Sequence, residues 1–258
     1  MLSLNYKTYG QGNPIIILHG LFGTLDNWQT IARHLSEEYL VYLVDQRNHG
    51  RSPHTEDFDY PLLAEDLKNF MDSEGMSQAT ILGHSMGGKT AIQFAVNYPE
   101  MVTSLVVVDI SPNAYEGGHQ EIFDALLGVD MDKIESRKMA DEQLAEAISD
   151  FGVRQFLLKN LTRNKTGGYQ WKMNLNAIHK NYQNILAKIF LEEPYNGPSL
   201  FIRGGRSKYI QAKDEPIINS FFPKALIKTI PDAGHWVHAE APKELLAIFR
   251  DFMVTVTK

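Results

Sequence analysis

The sequence predicts an α/β fold: a mostly parallel, doubly wound sheet carrying an inserted helical lid. Three observations support this. Short β-branched runs alternate with amphipathic helical patterns along most of the 258 residues, as in parallel strands joined by crossover helices. Ile15-Ile16-Ile17-Leu18 and Leu105-Val106-Val107-Val108 show no polar alternation, so they read as strands buried on both faces. Ser111 to Gly197 shows no convincing strand and is too long for a structureless loop, so it reads as a helical insertion.

Taken in order, Leu2 to Tyr9 reads as an early strand and Gly10 to Pro14 as a turn. The Ile15–Leu18 strand ends in His19-Gly20-Leu21-Phe22-Gly23. A helix is expected over Asn27 to Leu35, capped by Asp26 or Asn27. Leu40 to Val44 is the next strand and runs into a polar loop, Asp45 to Pro53. Pro61 to Met71 reads as a helix. Ala79 to Leu82 is a strand, followed by Gly83-His84-Ser85-Met86-Gly87 and a helix from Lys89 towards Pro99. The Leu105–Val108 strand ends on Asp109.

Within the insertion, helices are expected near 119–127, 141–149, 153–161 and 175–190. Beyond it, Leu200 to Arg203 and Ala225 to Ile230 read as strands, and Ala212 to Phe222 and Pro242 to Met253 as helices, the latter with proline at its start. The expected division is residues 1–111 with 197–258 as core and 112–196 as lid. The lid enters directly after Asp109, which places it above the strand ends where ligands bind in such sheets.

Composition bounds the function. Hydrophobic residues make up 43% and charged residues 22%, an ordinary globular balance. No apolar run approaches the ~20 residues of a membrane span. The N-terminus lacks the charged and apolar regions of a signal peptide. With no cysteine there is no disulfide, Cys nucleophile or thiolate metal site. A cytoplasmic location is expected. The net charge of −6 argues against a general nucleic-acid binder. No cofactor is expected, and oligomeric state is not legible.

Strand, tight turn and helix around Ser85 form the context of a nucleophile elbow. Glycine two residues to either side removes the Cβ atoms that would crowd so sharp a turn. A serine hydroxyl needs a base, and the base needs a carboxylate. Of nine histidines, His235 follows a strand end, precedes a helix and lies after Ser85 and Asp109. That matches the chain order of this elbow class. His238 is its rival, while His19, His49 and His84 read as loop-shaping residues. The acid often follows the strand before the last, but Ser207 stands there. Asp109 is therefore the expected acid, with Asp214 and Asp232 weaker candidates. Ser207 is read as an extra hydrogen-bond partner of His235 or Asp109. The oxyanion donors are expected to be the N–H groups of Met86 and Leu21, with Phe22 second to Leu21. Side chains of Phe22, Met86 and Trp236 are candidates to line an acyl pocket.

On these stretches the sequence resembles the α/β-hydrolase superfamily over nearly its whole length, and within it the YbfF-type bacterial esterases. The matching residues are His19 to Gly23, Asp45 to Pro53, Gly83 to Lys89, Asp109 to Pro112 and Gly234 to Glu240. The resemblance implies a Ser85–His235–Asp109 triad with Ser207 as a fourth member. It implies hydrolysis of small to medium acyl esters, and extends to acyl-CoA thioesters. Carbon–carbon hydrolases of the same fold and receptor-like proteins with slow turnover are the competing readings. Dehalogenases and epoxide hydrolases use an Asp nucleophile, which Ser85 argues against. The insertion's charge is split: residues 151–190 hold seven Lys or Arg and no Asp or Glu. These cations are expected either to face the acidic first half or to flank the pocket mouth and draw in anionic substrates.

Overall fold

The Ile15–Leu18 run is alternately sorted to two cores. Ile15 and Ile17 pack into one apolar cluster and Ile16 and Leu18 into the other, each residue almost fully buried. Side chains of a strand alternate between faces, so a strand apolar at every position needs helices on both sides. The structure, a computed structural model, describes residues 2–256.

The sheet has seven strands: β1 (Tyr6–Tyr9), β2 (Pro14–Leu18), β3 (Leu40–Val44), β4 (Ala79–His84), β5 (Val102–Val108), then, beyond two short strands β6 and β7 described below, β8 (Ser199–Gly204) and β9 (Ala225–Ile230). Their order is β1-β3-β2-β4-β5-β8-β9, with β1 antiparallel to β3 and all other pairs parallel. Residues of α1 (Gln29–Leu35) and α11 (Pro242–Val256) cover one face, and those of α2 (Tyr60–Ser73) and α3 (Met86–Asn97) the other. Leu67 and Phe70 of α2 and Phe94 of α3 fill one cluster; Ile31, Leu245 and Phe249 fill the other. Burying one such side chain contributes about 1.5–3 kcal/mol. The sheet is therefore fixed mainly by what lies on its two faces.

Several boundaries differ from expectation, each for a local reason. The first strand is confined to Tyr6–Tyr9. The first helix begins earlier, as a 3-10 turn over Leu25–Trp28, because the Asn27 side chain accepts the Thr24 N–H at 2.7 Å and so sits inside the helix rather than capping it. Asp59 caps α2 by accepting from Leu62 N, with Pro61 in the first turn. A 3-10 turn at Ala212–Asp214 precedes α9 (Glu215–Phe221), and α10 (Val237–Glu240) was not anticipated.

Between β5 and β8 lie α4 (Gln120–Gly128), α5 (Arg137–Ala145), α6 (Phe151–Leu158), α7 (Leu175–Lys180) and α8 (Tyr182–Leu186). The expected strand-free insertion contains a hairpin, β6 (Leu161–Arg163) paired with β7 (Tyr169–Trp171). Its turn is closed by the Asn164 side chain, which accepts from the N–H groups of Thr166 and Gly168 at 3.0 and 2.9 Å. Three-residue strands are too short to show a period, so this signal was local chemistry, not pattern. The helix expected from residue 141 starts at Arg137, where Ser136 accepts from Met139 N. The single helix expected over 175–190 breaks at Asn181 and stops at Leu186.

The cations of the insertion meet different surroundings. Arg154 pairs with Asp141 at 2.8 Å, linking the two halves, and Lys180 pairs with Glu56 of the core. Arg163, Lys165 and Lys172 instead line a surface groove with Arg51 and His54. No residue of that groove lines the two cavities at Ser85, so these cations do not flank the pocket mouth.

Candidate active site

The turn between β4 and α3 holds Ser85 at φ 53°, ψ −120°, a region that non-glycine residues rarely occupy and that surrounding structure must enforce. The enforcement is close packing. A Cβ on Gly83 would sit 2.0 Å from the Gly87 carbonyl oxygen, and one on Gly87 would sit 2.4 Å from that of Leu18. Hydrogen bonds fix the rest: Ser85 N donates to Val108 O at 3.0 Å, and Lys89 N donates to Ser85 O at 3.1 Å.

Three strand ends bring three side chains together. Ser85 Oγ lies 3.1 Å from His235 Nε2, and His235 Nδ1 lies 2.7 Å from Asp109 Oδ2. Asp109 is fully buried, at φ 52° directly after β5. Its Oδ1 accepts from Gly204 N at 3.0 Å, and its Oδ2 also accepts from the Ser207 hydroxyl. Ser207 therefore touches the acid and not the imidazole. Asp214 is committed elsewhere: it accepts from Gln211 N and from Asn113 Nδ2.

His235 is held from several sides. Tyr209 stacks on its ring at 4.0 Å, and His84 Nε2 donates to its carbonyl at 2.8 Å. Glu240 accepts from Gly234 N at 2.7 Å and from Trp236 N at 3.2 Å, clamping the loop on both sides of the histidine. Neither Tyr209 nor Glu240 carried a role in the sequence reading; a carboxylate five positions after the histidine was the available signal for Glu240. His238, the rival base, stacks on Trp28 at 4.4 Å and is nearly buried.

The loop after β2 brings Leu21 and Phe22 to Ser85. Phe22 N donates to His49 Nε2 at 3.3 Å, so that donor is already engaged. Among the described residues no acceptor faces Leu21 N. Met86 is the first residue of α3, where an N–H has no intrahelical acceptor. These two N–H groups are thus the free donors beside Ser85. Asn160, from the insertion, braces the loop by donating to Phe22 O at 2.6 Å.

Two cavities meet at Ser85. One is lined by Phe22, Trp28, Ile122, Phe156 and Trp236; the other by Leu21, Tyr60, Met86, Lys89 and Tyr115. Phe22 and Trp236 thus share one cavity, and Met86 faces the other. Val153 and Phe156 of α6 and Ile122 of α4 roof the first.

Buried neutral histidines support this architecture. His19 Nε2 accepts from Gln46 N at 3.1 Å, and His49 Nε2 accepts from Phe22 N. Burial lowers the pKa of His19 to about 4, of His49 to about 3, of His119 to about 4 and of His238 to about 3. An unfolded histidine titrates near 6.5. The unfolded chain thus binds these protons first. The stabilisation is complete above pH ~6.5 and is lost as pH falls towards 3–4, at up to about 1.4 kcal/mol per histidine per pH unit. Thermal unfolding should show Tm falling steeply from just below pH 6.5. A flat Tm between pH 7 and 5 would contradict this account.

A family model described as alpha/beta hydrolase fold matches residues 13–242. The chain belongs to the α/β-hydrolase family. Esterase YbfF of Escherichia coli is 35% identical over 93% of this chain and 93% of its own. The sn-1-specific diacylglycerol lipase ABHD11 of Mus musculus is 39% identical over 93% of this chain and 80% of its own. A solved structure titled "Marine microorganism esterase" superposes with a TM-score of 0.96 at 43% identity, covering 98% of this chain and 100% of that one. Among the described residues no helix is long and apolar enough to cross a membrane, and no group of three or more His, Cys, Asp or Glu could hold a metal ion.

Proposed function

We propose that this α/β-hydrolase is a serine carboxylic-ester hydrolase acting through an acyl-enzyme on small to medium acyl groups. The observation that carries the reading is the Ser85–His235–Asp109 chain at 3.1 and 2.7 Å, on a backbone turn strained at Ser85. His235 Nε2 takes the Ser85 proton as Oγ attacks the ester carbonyl. Asp109 holds the imidazole with Nε2 facing serine and stabilises the imidazolium that forms. The Leu21 and Met86 N–H groups donate to the developing oxyanion, and the start of α3 adds its dipole. His235 then protonates the leaving alcohol, and a water activated by the same base releases the acid. Ser207 holds Asp109 in place, and residues 112–196 act as the lid. The names of the relatives, esterase and lipase, support ester substrates.

The test is a burst experiment. With a short-chain p-nitrophenyl ester, the pre-steady-state release of nitrophenol should approach one equivalent per chain, provided deacylation is the slower step. A fluorophosphonate should abolish it by modifying Ser85. Turnover that survives stoichiometric labelling would reject the reading. The same acyl series offered as acyl-CoA decides whether thioesters are substrates.

A further inference from the structure

Lys89 is one helical turn beyond Ser85, in the Gly83-His84-Ser85-Met86-Gly87-Gly88-Lys89 stretch, and only 1% exposed. Its side chain does not leave the protein. It lines the second cavity at Ser85, with Tyr60 and Tyr115 beside it. Nζ donates to Ala187 O at 2.6 Å and lies 3.5 Å from Leu186 O. The Tyr115 and Tyr60 rings stand 4.9 and 5.6 Å from it.

What Lys89 lacks is a counter-ion. Burial alone acts on it, lowering its pKa to about 7, with no carboxylate among the described residues to offset the cost. An unpaired buried charge costs several kcal/mol. Tethering two carbonyls of the insertion does not require a full positive charge; a neutral donor would serve. A cation that costs this much, in a cavity shared with the nucleophile, suits an anion that arrives with the substrate.

The geometry points to Lys89 as a specificity determinant that receives a carboxylate at the far end of the acyl group, so that the preferred substrates include monoesters of short dicarboxylic acids. This rests on the ester-hydrolase reading and refines it. Ser85 and Lys89 line one cavity, so a short dicarboxylic chain attached at Ser85 runs through the space that Lys89 borders. The other titratable groups lining the cavity are Tyr60, Tyr115, Tyr182, Tyr209 and His119. The tyrosine pKa values are all raised and that of His119 is lowered to about 4, all chiefly by burial. These five stay neutral between pH 6 and 8.5, so Lys89 is the lining group whose charge changes there.

The experiment compares kcat/KM for monoethyl glutarate and ethyl pentanoate, from pH 6 to 8.5. The substrate carboxylate is ionised throughout. Any change in the shared acyl-transfer chemistry affects both esters and cancels in their ratio. The glutarate-to-pentanoate ratio should fall about tenfold on raising the pH, as the ammonium loses its proton. Lys89→Met should lower the ratio at pH 6 by about the same factor and remove its pH dependence. A ratio indifferent to pH in the unmodified protein overturns the inference, even if Lys89→Met does not fold. A ratio unchanged in a folded Lys89→Met overturns it equally. Failure to cleave either ester, by contrast, rejects the ester-hydrolase reading on which it rests.

Discussion

Ser85→Ala should remove turnover by about 10⁶-fold and abolish fluorophosphonate labelling, without a loss of stability. The magnitude follows from what the hydroxyl does. Among the described residues, Ser85 Oγ is the group that lies 3.1 Å from His235 Nε2 on a turn open to both cavities. Knocking out a nucleophile of this kind elsewhere costs about six orders of magnitude, and the residue left comes from the oxyanion donors and binding. Alanine keeps the strained φ of 53° and adds no atom, so the elbow stays folded. The measurement is kcat by an ester assay together with labelling followed by peptide mapping. Labelling retained at a different serine would refute the elbow assignment.

Asp109→Asn should lower kcat by about 10⁴-fold in a protein that still folds. The amide is close in shape to the carboxylate. It carries no charge for the His235 imidazolium, and it places an NH₂ where Oδ2 accepts from both His235 and Ser207. The imidazole is then driven to the wrong tautomer, with its proton facing Ser85. Ser207→Ala should cost far less, about tenfold, because it removes one neutral donor from an acid that keeps His235 Nδ1 and Gly204 N. The two variants are compared in kcat with circular dichroism as the folding control. Equal losses would make Ser207 and Asp109 equal partners, against the geometry, and a nearly silent Asp109→Asn would remove Asp109 from the mechanism.

Much of this was legible before any fold was known. The β-branched runs announced strands covered on both faces because burial on two sides leaves no room for alternation, and β2 and β5 are buried so. The glycines around Ser85 announced the elbow because a turn that tight excludes Cβ atoms, whatever surrounds it. Its place between a strand end and a helix, after Ser85 and Asp109 in the chain, made His235 the preferred base over His238. These signals are short-range, so they survive in one dimension.

What only the tertiary structure decided depends on residues distant in the chain. Asp109 and Ser207 could both be named from sequence, but that the hydroxyl serves the acid rather than the imidazole follows from β5 and β8 lying side by side. Leu21 was preferred to Phe22 as an oxyanion donor from sequence, but only the fold shows that His49, from another loop, engages the Phe22 N–H. The hairpin of β6 and β7 and the break at Asn181 are set by single side-chain contacts that leave no period to read. Lys89 read as one more polar residue of a helix. Only the closure of Tyr60, Tyr115 and the Ala187 carbonyl around it shows a buried cation without a carboxylate. Periodicity reports which face of an element is buried, whereas the partner that meets a polar group across that face is fixed by packing between segments far apart in sequence.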